Sequence, residues 1–406
     1  MNILMMVPDH LMIDRRVVQQ AAGLVRLGHC VHLLAGFECS EEAEYDEQGI
    51  HIHRYKYDWD DERLKRLRAK LPQNDRLRGI VNRLFMIAAK RLFRFTPFET
   101  FVLSKAMQFP ADVVHVHDLP LLRLGAEIAA RRGARLVYDA HEIYYEQECL
   151  DPRWRKKLKA EERKHIHQVD LFTTVNAASA DYFARLYGVR PLVLLNAAET
   201  PPAGFDRDSR ANLRDRAGIP HDAHVVLYQG WFSAERNLVN MIHAARFLPR
   251  DAYLLLIGYG EFETVLRQEL RGKPWEDRVR FLGRVPPGEM LPLTAGADLG
   301  VIPYQPIDLN HRLCSPNKFF EFVQAGVPVV AQELPFFVAM KNEHGVVATA
   351  DLSTAMGFGL AFQTLLRDTR KLADMQAACR KAAATLNWEA EFAKLERAYP
   401  LPARAA

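Results

Sequence analysis

The chain has 406 residues, 49% of them apolar and 26% charged, with a net charge of +4. Such a length points to two domains of roughly 200 residues each, and the balance excludes a disordered or fibrous chain. The charge is too mild for a general nucleic-acid binder, so no nucleic-acid partner is expected. Apolar runs such as 112-DVVHVHDLPLLRL and 323-VQAGVPVVA are too short and interrupted to span ~30 Å of hydrocarbon. The first residues lack a basic segment and are broken by Pro8, so no signal peptide is expected. The five cysteines, Cys30, Cys39, Cys149, Cys314 and Cys379, are widely spaced without a C-x-x-C pair. They suit a reducing cytoplasm and not a cysteine metal site.

In chain order, residues 2–7 read as a buried strand. A helix follows with Asp14 as its N-cap, closing near Gly28, and then the strand 30-CVHLLAG-36. Strand, helix, strand is a βαβ unit, which implies a parallel sheet. The alternation continues through strand 112–118, helix 120–132, strand 135–141, a charged helix 151–168, strand 170–176 and helix 178–187. Residues 196–210, rich in Pro, Asp and small residues, read as a linker. Strands at 224–230, 252–258, 278–283, 297–304, 327–332 and 344–350 then alternate with helices, giving a second α/β domain before closing helices. Ligands in doubly wound sheets lie beyond the carboxyl ends of the strands, so the loops there are the places to search.

The loop 229-QGWFSAERN-237 leaves a strand for the first turn of a helix and carries Arg236, a cation placed against the helix dipole. A surface arginine has about the same weight as a phosphate contact there. The turn 258-GYGE-261 offers two glycines for close backbone approach but lacks the third glycine of a dinucleotide fingerprint. In 308-DLNHRLCSPNKFFEFVQAGVPVVA-331 a polar loop meets a helix at Pro316, and Glu321 sits among Phe319, Phe320 and Phe322. An ordinary role on a solvated face competes with a partnered carboxylate, and a ribose diol is one suitable partner. In the first half, 115-HVHD-118 and 139-DAHE-142 end strands, so His117, Asp118, Asp139, His141 and Glu142 emerge on the ligand side. Acid/base or hydroxyl-positioning roles fit them better than metal ligation, because no H-x-x-x-H spacing is present. The ordinary alternative for His115 and His141 is hydrogen-bonded packing.

The stretches 14-DRRVVQQAAGLVRLGHCVHLL-34, 112-DVVHVHD-118, 139-DAHE-142, 228-YQGWFSAERNL-238, 280-RFLGRVP-286 and, most specifically, 315-SPNKFFEFVQAGVPVVA-331 make the chain resemble the GT-B glycosyltransferases. The likeness is to retaining enzymes such as those of glycosyltransferase family 4. The resemblance implies two Rossmann-like doubly wound domains facing a central cleft. Residues 1–198 would bind the acceptor, 199–375 the nucleotide-sugar, and helices in 376–406 would return to the N-terminal domain.

By the same resemblance Glu321 is the second acid of a Glu-x7-Glu motif, holding the donor ribose, and Arg236 meets the diphosphate. His117 lies at the reacting centre. Gly230, Gly258, Arg284, Val285, Ser315, Pro316, Asn317, Lys318 and Phe319 complete the donor region. Arg15, Arg16, Asp118, Asp139, His141 and Glu142 belong to the acceptor or donor-sugar region. Three positions depart from the family pattern. Leu313 stands where many members have the first glutamate, Trp231 replaces an arginine, and 8-PDHLMIDRR-16 replaces a glycine-rich turn, which brings Arg15 or Arg16 to phosphates or acceptor.

The implied reaction is retaining, metal-independent transfer of a hexose from a nucleotide-sugar to a lipid-linked or glycan acceptor in bacterial surface polysaccharide or glycolipid synthesis, with no cofactor. A non-catalytic GT-B binding subunit and a sugar-nucleotide epimerase are the alternatives. Asp58 and Asp60 form an Asp-x-Asp, read as chance. Between residues 61 and 105 twelve Lys/Arg face four Asp/Glu, interleaved with Leu and Ile. This reads equally as an amphipathic helix attracted to the anionic inner face of the cell membrane, or as a solvated helix pair.

Overall fold

The structure, a computed structural model, describes residues 1–8, 13–36, 38–57, 95–207 and 210–399. Asp58, Asp60 and most of the basic stretch, residues 61–94, lie outside the described residues. Two compact units are formed: Met1–Tyr145 with Pro152–Thr173 and the residues from Ala398 onward, and Glu146–Asp151 with Thr174–Arg397.

In the first unit, β1 (Asn2–Val7), β2 (Cys30–Ala35), β3 (Glu38–Glu47), β4 (Ile50–Lys56), β5 (Val113–His117), β6 (Arg135–Ala140) and β7 (Leu171–Thr174) lie in the order β3-β4-β2-β1-β5-β6-β7. Pairing is parallel along β4-β2-β1-β5-β6. β1 and β5 are almost wholly buried, which is why they read as continuous apolar runs and not as alternating ones. Asp14 caps the helix Arg15–Arg26 by accepting from the Arg16 amide at 2.8 Å, as the sequence suggested. The antiparallel β3–β4 hairpin was not anticipated. Its outer strand, ECSEEAEYDE, has no apolar period because it is a charged sheet edge. Gln48 and Gly49 turn the chain with φ of 53° and 78°, the double left-handed geometry that tight hairpins prefer.

The second unit follows the two-residue β8 (Leu192–Val193) with β9 (His224–Trp231), β10 (Ala252–Tyr259), β11 (Val279–Gly283), β12 (Leu299–Ile302), β13 (Val329–Gln332) and β14 (Val347–Ala350). Their order is β11-β10-β9-β12-β13-β14, all parallel. The chain winds outward from β9 to β11, then restarts at β12 on the other side. The carboxyl ends of β9 and β12 therefore flank a topological switch point. Along β9 the side chains alternate between two apolar layers. Val225 and Leu227 join the layer of Phe319, Phe320 and Phe337, whereas Val226 and Tyr228 join Phe358 and Phe362. At the opposite end of this sheet the fully buried Arg214 donates to Asp298 at 2.9 Å and to the carbonyls of Ala223 and Gly296. Burial, followed by repulsion from Arg210, pushes its pKa down to about 10.

Candidate functional site

At the switch point of the second unit the backbone makes room first. Gly230, Gly258 and Gly260 have φ of 130°, 149° and 158°. A Cβ on Gly258 would strike the Gly230 carbonyl, and one on Gly260 the Phe232 backbone. Only glycine lets these strand ends come so close. A Cβ on Gly230 would sit 2.5 Å from Lys318 Nζ, so this glycine clears a place for that ammonium.

Lys318 opens the helix Asn317–Gln324, and its Nζ lies 4.4 Å from the Tyr228 ring centroid and 5.3 Å from that of Tyr304. On Tyr304 it meets Arg236, whose guanidinium carbon is 4.1 Å from the same centroid. Desolvation, then the neighbouring guanidinium, pushes the Lys318 pKa down to about 7. Arg236 sits in the short 3-10 turn Ala234–Arg236 and not in the first turn of the next helix. Asn237, at φ 54°, separates the two and is tied by its side-chain amide to the Leu352 carbonyl at 2.7 Å. Aromatic faces thus hold two cations together, an arrangement that an anion would complete.

The loop entering the helix is tethered through its carbonyls. Asn176 Nδ2 and Ser179 Oγ donate to the Leu313 oxygen at 2.7 and 3.3 Å, and Asn196 Nδ2 donates to the Ser315 oxygen at 2.6 Å. The Leu313 side chain is buried, so the position of the missing glutamate serves as a packed anchor. Pro316 is the N-cap residue and supplies no side-chain cap to the first N–H groups of the helix. The Phe319 amide is taken by the Pro316 carbonyl at 3.1 Å and its ring lies in the core. Glu321, one turn in, accepts from Gln229 Nε2 at 2.6 Å. Val285 is buried, whereas Arg284 is exposed over the Tyr259 ring at 4.9 Å. Trp231 is exposed and meets Tyr259 edge to face, also at 4.9 Å.

In the first unit the ends of β5 and β6 carry a buried polar hub. Asp139 accepts from Gln20 Nε2 at 2.6 Å and Thr173 Oγ1 at 2.7 Å, and pairs with His141 at 2.8 Å and His117 at 3.3 Å. Burial alone would raise the Asp139 pKa, but His141 and the hydrogen bonds from both histidines take it well below the usual range. Burial and Arg16 oppose a charge on His141, yet Asp139 and Asp118 outweigh them and raise its pKa. His115 and His117 are lowered by desolvation. Burial, opposed by His141 and helped by Glu142, pushes Asp118 up to about 7. Asp118 holds φ 63°, a costly value for a non-glycine residue, while its Oδ1 accepts from the His141 amide at 3.1 Å. His115, His117 and Asp139 also bring their donor atoms within 4.8 Å of one another, so among the described residues they are the group able to approach a metal ion. Asp139 is already saturated by protein donors. Arg16 pairs with Asp14 and stands near Asp118 and Asp139, whereas Arg15 is exposed.

The structure therefore gathers His117, Asp118, Asp139, His141, Glu142 and Arg16 in one unit, and Gly230, Gly258, Arg236, Lys318 and Glu321 in the other. Sequence reading passed over Gln20, Thr173, Asn176, Ser179, Asn196, Gln229 and Thr294. The available signal was a polar residue inside an apolar run, as with Gln229 in 224-HVVLYQGW-231.

Two units with a parallel doubly wound sheet apiece, cations at one switch point and a histidine–carboxylate hub in the other unit, define a GT-B glycosyltransferase. Residues 13–196 match the family "Glycosyl transferase 4-like domain" and residues 223–368 match "Glycosyl transferases group 1". The chain belongs to this family of glycosyltransferases. A D-inositol 3-phosphate glycosyltransferase of Xylanimonas cellulosilytica is 25% identical over an aligned length of 312, the match covering 71% of this chain and 71% of that one. Anabaena HepE, solved with UDP, superposes with a TM-score of 0.69 at 18% identity, covering 98% of this chain and 99% of that one. WaaG, a glycosyltransferase involved in lipopolysaccharide biosynthesis, gives 0.65 at 14% identity over 97% and 98%. Among the described residues no helix is long and apolar enough to cross a membrane.

Proposed function

We propose that the second unit binds a nucleotide-sugar, with Arg236, Lys318 and the start of the helix Asn317–Gln324 on the diphosphate and Glu321 on the ribose. The observation that carries this reading is the sharing of Tyr304 by Arg236 and Lys318. Charge developing on the departing diphosphate is the main electrostatic demand of the reaction, and two fixed cations beside a helix N-terminus meet it without calling on a metal. HepE, similar in fold, was solved with UDP and with UDP-glucose, which makes a UDP-hexose the first donor to try. We assign His117 to the sugar end of the reaction, oriented by Asp139 and kept neutral by burial. Transfer with retention to a lipid-linked or glycan acceptor follows from the family resemblance. The curated relative is named for D-inositol 3-phosphate, so a small phosphorylated polyol is the second acceptor class.

A thermal-shift panel of UDP-, GDP- and ADP-sugars tests the donor, because a ligand that binds only the folded chain raises its melting point. Transfer to added acceptors then separates a transferase from a binding subunit, and conversion of the sugar without acceptor would reveal an epimerase. Membrane attachment through residues 61–105 rests on their charge. Co-sedimentation with anionic vesicles at low salt and release at high salt is the expected result, and no binding at low salt removes the idea.

A further inference from the structure

Glu321 does not stand alone in its helix. Gln229 Nε2 donates to its Oε2 at 2.6 Å, and Thr294 Oγ1 donates to Gln229 Oε1 at 2.8 Å. Thr294 itself is buried on the helix Pro287–Ala295 and also contacts the Met290 carbonyl at 2.8 Å. The chemistry fixes the direction of this relay. An ionised carboxylate only accepts, so the Gln229 amide must present its NH2 to Glu321 and its oxygen to Thr294, whose single hydroxyl hydrogen is shared between that oxygen and the Met290 carbonyl. A residue on β9, one position before the glycine that makes room for Lys318, is thereby held in one orientation by a third element, the helix Pro287–Ala295. Gln229 is 2% exposed and lies in an otherwise apolar strand. A buried amide in such a place costs free energy unless it is fully bonded, and leucine would fill the same space at lower cost.

We propose that Gln229, oriented by Thr294, is a positioning residue that aims the Glu321 carboxylate at the two hydroxyls of the donor ribose. This rests on the reading of Glu321 as the ribose contact. With one carboxylate oxygen engaged by the amide, rotation of the group is restricted, which narrows the geometries in which it can meet a diol. Losing this orientation weakens binding of the nucleoside and leaves the diphosphate grip of Arg236 and Lys318 in place.

The test compares UDP with its 2′,3′-dideoxy analogue by isothermal titration, in the full chain and in Gln229→Leu, Thr294→Val, Glu321→Ala and the Gln229→Leu/Glu321→Ala double variant, with melting points recorded for each. Expected is a roughly ten-fold weakening of UDP binding in Gln229→Leu, the scale of a lost hydrogen bond to a charged group, and a smaller loss in Thr294→Val. The dideoxy analogue should bind all variants alike, and Gln229→Leu should add nothing once Glu321 is alanine. Should Gln229→Leu not fold, Thr294→Val alone must reduce the preference for UDP over the dideoxy form. Equal losses for both ligands, or an unchanged preference in both relay variants while Glu321→Ala abolishes it, overturns the role of Gln229. Wild-type protein that does not distinguish the two ligands overturns the ribose reading itself and this inference with it.

Discussion

The carboxyl ends of the two sheets solve opposite problems. In the first unit the charges complete one another: Asp139 is surrounded by four donors and His141 by two carboxylates. In the second unit Lys318 and Arg236 lean on the same tyrosine ring, and desolvation, then the neighbouring guanidinium, pushes the lysine pKa down to about 7. Around Asp139 the charges are matched within the protein, and His117 Nε2 is left as a buried nitrogen without a hydrogen-bond partner among the described residues, whereas gathered cations hold back interaction energy for a ligand. Substitution of Asp139 should therefore register first as lost stability, and substitution of Arg236 or Lys318 as lost binding or rate.

The largest effect is expected for Asp139→Ala, which removes one of the two carboxylates beside buried His141 together with the acceptor of Gln20 and Thr173, and should lower stability by about 3–5 kcal/mol. Urea unfolding measures it, and a loss below about 1 kcal/mol would contradict the account of Asp139 as the structural anchor of the hub. Next comes Arg236→Ala, which should slow transfer about 100- to 1000-fold with the unfolding midpoint unchanged. Near-normal turnover would remove Arg236 from the site.

Lys318 sharpens the contrast through pH. Its folded pKa of about 7 lies below the ordinary 10.5, so between these values the unfolded chain binds more protons. Stability should consequently rise with pH across that window. Donor affinity should move the other way, because the ammonium that meets a diphosphate is lost above pH 7. A sugar-linked diphosphate has no ionisation of its own there, and because Asp118 is also pushed up to about 7, titrating a UDP-sugar from pH 6 to 9 against wild type and Lys318→Met together reads the lysine. Lys318→Met should bind more weakly and show a flatter profile; a profile matching wild type would dissociate the lysine from the anion. The smallest effect belongs to Trp231→Ala, which removes an exposed ring and should change stability by no more than about 0.5 kcal/mol.

Much of this was legible before any coordinates. The βαβ rhythm is written in periodicity, and the Asp14 cap and most strands fall within a few residues of their reading. His117, Asp139, Arg236 and Glu321 were found because charged or titratable groups at strand ends and helix starts stand out against apolar runs. The β3–β4 hairpin escaped because an exposed edge strand needs no apolar face. Asn176, Asn196 and Thr294 escaped for another reason: their partners lie 137, 119 and 65 positions away in the chain.

By itself, then, the sequence determined which segments alternate as strand and helix, where the chain turns, and which chemistry-bearing residues stand at strand ends. Those properties depend on neighbours within a turn or two. Only the tertiary structure decided that Lys318 and Arg236 share one ring, that Asp139 gathers four donors, and that Gln229 faces Glu321. Distances between residues far apart in the chain are set by how layers pack around a core, and local pattern carries no record of them.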